Sequence, residues 1–135
     1  MRKLLEVFIP IPLTNSNDGQ GKNWYRTVKQ RNKFREYLHL NRLHRKPFGR
    51  PVSIRIVRVI GKRQAYFDED SLLRGNSKEL IDSLREAGWF TDDSRKYVQQ
   101  VIGSQVVDRE RGPAIIVQVW DGVLAFPDQD KFDYL

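Results

Sequence analysis

The sequence predicts an α/β fold (more narrowly α+β), in which a small mixed β-sheet packs with two main helices in the order β-α-β-α-β-β. Four short runs rich in Val and Ile are separated by two segments with helical periodicity. A chain of 135 residues can bury a core of its own without staples, and this one has no cysteine for disulfides or thiolate metal sites. We see no internal repeat. We therefore expect one domain over residues 1–135, with 122–135 as an acidic C-terminal tail.

Residues 3–10 are the first predicted strand. The opening "MRKLLEVFIPIPL" combines basic and apolar residues as a secretion signal does, but Glu6 and the prolines favour an edge or first strand. No apolar run approaches the ~20 residues that a membrane helix needs. These features predict a cytoplasmic protein with no membrane partner.

A polar loop at 14–23 leads into a predicted helix over 24–43, which the breaker cluster "KPFGRP" ends. Its apolar side chains form a rough stripe, and most of its basic side chains lie off that stripe. The stripe consists of Tyr25, Val28, Phe34, Tyr37, Leu38 and Leu40.

The second half of the chain predicts a strand, a helix and two further strands. Residues 52–61 begin by alternating, which predicts a half-buried strand whose basic residues face outward. A helix over 77–87 has a narrow apolar face and is closed by Gly88. Strands at 95–109 and 114–121 are separated by "ERGP", which predicts a hairpin turn.

Positive charge is concentrated in one part of the chain. The net charge is +7, but fourteen Lys or Arg and one acid lie between Lys22 and Arg63, whereas the rest carries ten bases and sixteen acids. Such a block is typical of a nucleic-acid-binding surface, although a solvated helix face would also be basic. The candidate DNA-binding residues are Lys22, Arg26, Lys29, Arg31, Lys33, Arg35, Arg55, Lys62, Arg63 and Arg74.

Two acidic clusters flank the second predicted helix. Asp68 and Asp70 are two residues apart, so that an extended backbone points both carboxylates the same way. The helix would run ~16 Å, and a chain that crosses the sheet along it can return to the same edge, where Asp93 would supply a third ligand. Oxygen ligands of this kind suit Mg²⁺, with Mn²⁺ as a substitute. Either cluster alone is typical of an exposed turn, but together in a basic protein they indicate a metal site.

Lys78 lies in the first turn of the same helix. Near a metal and a phosphate it would stabilise the negative charge of a transition state, with Asp82 at i+4 to orient it. An ordinary exposed ion pair between these two side chains, worth a few tenths of a kcal/mol, explains the spacing equally well.

The stretch "DEDSLLRGNSKELIDSLREAGWFTDDS", residues 68–94, resembles the RusA family of Holliday-junction resolvases, crossover junction endodeoxyribonucleases often carried by phages. The shared pattern is Asp-x-Asp-Asn-Leu, a Lys, an Asp-Ala-Leu helix, a Gly-containing turn and Asp-Asp. "IPIPLTNSN" and "NWYRTVKQRNKFR" loosely resemble the family's N-terminal loop and basic helix. The resemblance implies metal-binding roles for Asp68, Asp70 and Asp93, with Asp92 adjacent, and a catalytic role for Lys78.

The resemblance further implies a Mg²⁺-dependent endonuclease that resolves four-way junctions in DNA recombination and repair by paired symmetric nicks. Its partners would be branched double-stranded DNA and a second copy of the chain. Ser71 stands where the family has Asn, and the segment from Asp70 to Lys78 is longer than in the shortest members. Two alternatives therefore remain: a non-catalytic junction-binding protein of the same fold, and a metal nuclease acting on flaps or replication forks.

Two expectations concern packing. The apolar strands at 98–107 and 114–120 are the expected dimer interface. Trp89 and Trp120 are expected in the core, which is the usual place for tryptophan, whereas Trp24 is a candidate for stacking on an unpaired base.

Overall fold

The computed structural model describes residues 2–13, 24–66, 77–91 and 96–122, without the side chains of 24–27. The elements are β1 (Lys3–Ile9), α1 (Trp24–Leu40), β2 (Val52–Ile60), α2 (Ser77–Glu86), β3 (Val98–Val107) and β4 (Ala114–Asp121). Their order confirms the predicted β-α-β-α-β-β arrangement and the α+β class. Neither helix in this part of the chain is long and apolar enough to cross a membrane.

The four strands form one mixed sheet in the order β1-β4-β2-β3. β4 runs antiparallel to both β1 and β2, and β3 runs parallel to β2. The predicted hairpin between β3 and β4 is therefore wrong, because these strands lie on opposite sides of β2. The first six residues of β4 are buried without alternation, which is the pattern of a strand covered on both faces rather than that of a hairpin edge.

Both helices pack on one face of the sheet, here called the helix face. Ile54 and Ile56 of β2 belong to the same core cluster as Phe34 of α1 and Leu80 and Leu84 of α2. The alternate residues of the strands point to the other side, here called the far face. The far face carries Glu6 and Phe8 of β1, Ser53, Arg55, Val57 and Val59 of β2, Gln100, Ile102, Ser104 and Val106 of β3, and Ala114, Ile116, Gln118 and Trp120 of β4.

All nine residues of β2 are buried, so the expectation that its basic residues face outward is wrong. Arg55 is 0% exposed and donates Nε–H to Ser104 Oγ at 3.0 Å. Arg58 is also buried, and loss of hydration lowers the pKa of its guanidinium. Both faces of β2 are covered, so neither resembles the solvated face that the alternating pattern suggested.

The predicted apolar stripe of α1 is correct at Phe34 and Leu38, which are buried, and at the half-buried Tyr37. It is wrong at Leu40, which is 68% exposed. Leu40 is the last residue of α1, and the chain turns directly after it.

Gly88 closes α2, as predicted, with a φ of 90°. A Cβ at this position would collide with the carbonyl oxygen of Arg45, whose own N–H donates to the Ala87 carbonyl at 2.9 Å. Trp89 follows in the core, where its indole N–H donates to Leu43 O at 2.8 Å. The core position of Trp89 is thus confirmed, whereas Trp120 is only half-buried.

The connection from β3 to β4 crosses the end of β2 at a pair of glycines. Asp108 N–H donates to Ile60 O at 3.0 Å just before the crossing. A Cβ on Gly61 would lie 2.6 Å from the carbonyl oxygen of Gly112, and one on Gly112 would lie 2.7 Å from the nitrogen of Gly61. Only residues without a side chain allow the two backbones to pass this closely.

Candidate nucleic-acid surface and acidic site

The four predicted metal-binding acids, Asp68, Asp70, Asp92 and Asp93, lie outside the described residues. Lys22, Arg74 and Ser71 do too, and Arg26 lies in α1 with its side chain outside the description. Among the described residues, no group of three His, Asp or Glu is placed to hold a metal ion. The structure therefore gives the positions of the strands and the helix that flank the two acidic segments.

The positions of these flanking strands differ from the expectation that the helix returns the chain to the edge of the sheet at which the preceding strand ended. Val98, the first residue of β3, pairs with Val52, the first residue of β2. The chain leaves β2 at Ile60, at the opposite end of the sheet, because a parallel pair requires a crossover between opposite ends. The two acidic segments are thus anchored at opposite ends of the sheet.

The chain nevertheless reverses direction directly after β2. Gly61 N–H donates to Gln64 Oε1 at 2.8 Å, which stabilises a tight turn. Arg58 Nη1 then donates to Ala65 O at 2.7 Å and to Gln105 Oε1 at 3.0 Å. The backbone at Ala65 has therefore folded back against the side chain of Arg58, two residues before the end of β2.

The lengths of chain between the acids and the described strands allow the two acidic segments to approach one another. The six residues from Val52 to Arg58 span about 20 Å of strand. Asp70 is five residues beyond Ala65 and Asp93 is five residues before Val98, and each interval can extend to about 17 Å. Together the two intervals are longer than this span, so the lengths of chain permit a single acidic site.

Lys78 is the second residue of α2, and its side chain is exposed. Asp82, its expected partner at i+4, instead forms ion pairs with Arg31 of α1 at 4.0 Å and with Arg85 at 3.8 Å. Within the described part of the chain, Lys78 takes part in no ion pair.

The basic residues of α1 divide into two groups. Arg35 forms a two-pronged ion pair with Glu86 of α2, with Nε–Oε2 at 2.5 Å and Nη2–Oε1 at 2.6 Å, and its hydrogen bonds lower the pKa of Glu86. Together with the ion pair of Arg31 to Asp82, this contact joins the two helices. Lys29 and Lys33 are exposed.

Two basic residues missed by the sequence reasoning lie at the end of the sheet where the chains cross. Arg109 donates to the carbonyls of Gly61 and Gln64, and the guanidinium of Arg111 lies 4.7 Å from the centre of the Phe8 ring. They come next to the predicted Lys62 and Arg63, which are exposed. The signal was the pair of arginines in the "DRERG" turn, which the hairpin interpretation placed beside the wrong strand.

The described surface thus carries exposed lysines on α1, a second basic group where the chain crosses the end of β2, and Lys78 at the start of α2. A search against models of known protein families and a search of the curated proteins both find no match to this sequence.

Proposed function

We propose that this chain is a Mg²⁺-dependent endonuclease that resolves four-way DNA junctions by paired symmetric nicks. The proposal rests on the resemblance of residues 68–94 to the RusA family. One structural observation supports it: the Arg58–Ala65 hydrogen bond, which records the reversal of the chain after β2. Through this bond the chain that leads to Asp68 and Asp70 has already folded back from the end of β2 at Ala65.

In this proposal Asp68, Asp70 and Asp93 hold the metal, with Asp92 beside them. Carboxylate oxygens on a short extended segment are the hard ligands that Mg²⁺ and Mn²⁺ prefer. The bound metal supplies activation of a water molecule and stabilisation of the leaving oxygen. Lys78, an exposed cation at the start of α2, places positive charge against the phosphate as its negative charge grows.

The duplex arms would be held through their phosphates, without reading the base sequence. Lys29 and Lys33 on α1 and Lys62 and Arg63 after β2 are exposed and suited to this role. Lys22, Arg26 and Arg74 remain proposed contacts from outside the described side chains. Arg55 is buried and is therefore not one of the proposed DNA contacts. Arg31 and Arg35 contribute mainly by joining the two helices.

Two symmetric nicks require two sites related by a two-fold axis, which favours a homodimer. β4 cannot supply the interface through its edge, since it lies between β1 and β2. β3 is an edge of the sheet that the described strands form, and it exposes Val101 and Val107. We therefore assign the proposed dimer contact to β3.

The decisive experiment mixes the purified protein with a synthetic four-way junction and Mg²⁺. Paired symmetric nicks that are lost in Asp70→Asn, while junction binding is retained, are the expected result. Tight binding with no cleavage in Mg²⁺ or Mn²⁺ would contradict an enzyme and leave a junction-binding protein. Cleavage confined to flaps or forks would identify the other metal nuclease.

The role of Lys78 is tested separately in the same assay. Lys78→Met should lower the single-turnover cleavage rate by at least about tenfold with little change in junction affinity, since its charge acts on the transition state. Glu79→Gln, in the same helical turn, is the matched control and should cleave at nearly the normal rate. Equal rates for all three proteins would rule out a catalytic role for Lys78.

A further inference from the structure

The far face of the sheet is buried although neither helix lies on it. Val57, Val59, Ala114 and Ile116 form a second apolar cluster there, separate from the main core. Each of the four is no more than 3% exposed. Both α1 and α2 contribute to the cluster on the opposite side of the sheet, so another part of the molecule must cover this one.

A charged side chain lies in the middle of this face. The guanidinium of Arg55 is bonded to Ser104 Oγ through Nε, and the neighbouring Gln118 donates to Glu6 Oε1 at 2.8 Å. Arg55 and Gln118 are both 0% exposed. A buried guanidinium is costly unless an anion compensates it, so the cover of this face is expected to bring a carboxylate.

The last described residues lead onto this face. At the end of β4, Gly122 N–H donates to Pro51 O at 3.1 Å, and Gly122 O accepts a hydrogen bond from Ser53 Oγ at 2.5 Å. Ser53 is a far-face residue two positions before Arg55. Gly122, at the end of β4, therefore lies beside Ser53, on the face of the sheet that carries Arg55.

The thirteen residues that follow have the chemistry that this face requires. Residues 123–135 read "VLAFPDQDKFDYL", an apolar run followed by Asp128, Asp130 and Asp133. Extended, they reach about 43 Å, more than the ~30 Å length of β2, so that both the apolar cluster and Arg55 are accessible from Gly122.

We propose that residues 123–135 pack on the far face of their own chain, with their apolar side chains over the Val57–Ile116 cluster and a carboxylate on Arg55. The acidic segment then completes the domain rather than contacting DNA or a partner. Arg55 serves as its anchoring residue. This inference is independent of the proposed nuclease activity, and its tests require no DNA.

Paramagnetic labelling tests the position of the segment in the full chain. The protein has no cysteine, so Gln129→Cys gives one site for a nitroxide spin label. Trp120 and Trp89 provide matched indole N–H probes, because Trp120 lies on the far face and Trp89 bonds to Leu43 on the helix side. We expect strong broadening of the Trp120 indole signal, assigned with Trp120→Phe, and little broadening of the Trp89 signal.

A mixed sample identifies which chain supplies the segment. Isotope-labelled protein without the spin label is combined with spin-labelled protein of natural isotope content. Broadening of Trp120 in the doubly labelled chain but not in the mixture supports the proposal. Broadening in the mixture would show that the segment of a second copy covers the far face. No broadening in either sample would show that residues 123–135 do not lie on this face. Either result would overturn the proposal.

A double-mutant cycle tests the anchoring charge. Asp128→Asn, Asp130→Asn and Asp133→Asn together should lower the urea midpoint of unfolding when Arg55 is present. In Arg55→Met the same three changes should shift the midpoint by less than half as much, because the carboxylates have lost their partner. Equal shifts in both backgrounds would overturn the role of Arg55.

Discussion

At the residue scale, Gly61 and Gly112 determine how closely two segments of backbone can pass. They lie where the β3–β4 connection passes the end of β2, and backbone atoms rather than flexible side chains would meet any added Cβ. The crossing places Arg109 against the turn after β2, and that turn begins the reversal toward the acidic segments.

Gly61→Ala should therefore destabilise the protein by about 2–3 kcal/mol, since overpacking against backbone cannot be relieved by a rotamer change. Gly49→Ala is the matched control, because nothing lies within 4 Å of a Cβ there, and its effect should stay within about 0.5 kcal/mol. Urea unfolding of both variants measures the difference. Similar stabilities would contradict the close crossing.

The Arg35–Glu86 pair predicts a pH dependence. Hydrogen bonds from Arg35 lower the pKa of Glu86 below its ordinary value of 4.5. A carboxyl whose pKa is lower in the folded state stabilises the protein above its unfolded pKa, and this stabilisation is lost as the pH falls through the folded pKa.

Glu86→Gln should therefore reduce the free energy of unfolding at neutral pH, and the reduction should become smaller at acid pH, as the pH falls through the folded pKa of Glu86. Both side chains are more than a third exposed, so the loss at neutral pH should be only about 0.5 kcal/mol. Urea unfolding at both pH values, with Arg35→Gln as the matched variant, checks it. A loss that persists in acid would show that the effect is not electrostatic.

At the scale of elements, α1 combines two functions on different sides. Arg31 and Arg35 face α2 and join the helices, whereas Lys29 and Lys33 are exposed. The sequence shows four similar cations on one helix. Their separation follows from the position of α2, whose acids at 82 and 86 are one turn apart.

Replacing Lys29 and Lys33 by Gln should weaken junction binding and reduce the slope of log affinity against log salt by about 1.8, without changing stability. Replacing Arg31 and Arg35 by Gln should instead lower stability and change the slope less. Fluorescence anisotropy at several salt concentrations, with urea unfolding of each protein, separates the effects. Equal slopes for the two double variants would contradict this division of α1.

At the scale of the whole molecule, the strand order places β2 and β4 in the interior of the sheet and β1 and β3 at its edges. Interior strands bond to neighbours on both sides, so their amides open only with the whole domain. Hydrogen exchange should therefore be slowest in β2 and β4. Faster exchange at alternate amides of β4 would indicate an edge strand that is paired on one side only, as in the predicted hairpin with β3.

The six elements, their order and most of their limits follow from the amino-acid sequence, because these features depend on local signals. Apolar periodicity, the breaker cluster before β2 and Gly88 after α2 act over a few residues, and each located its element along the chain. The charge asymmetry and the two acidic clusters were equally visible, since they need only the order of residues.

How these elements meet depends on the tertiary structure. It inserted β4 between β1 and β2, buried Arg55 and Arg58, and paired the arginines of α1 with α2. The first six residues of β4 are buried without alternation, but an apolar run in the sequence does not identify the strands that lie beside it. Strand order, burial of a charge and ion pairing between helices depend on residues that are distant in the chain, and their energies are set by the packing of the whole domain.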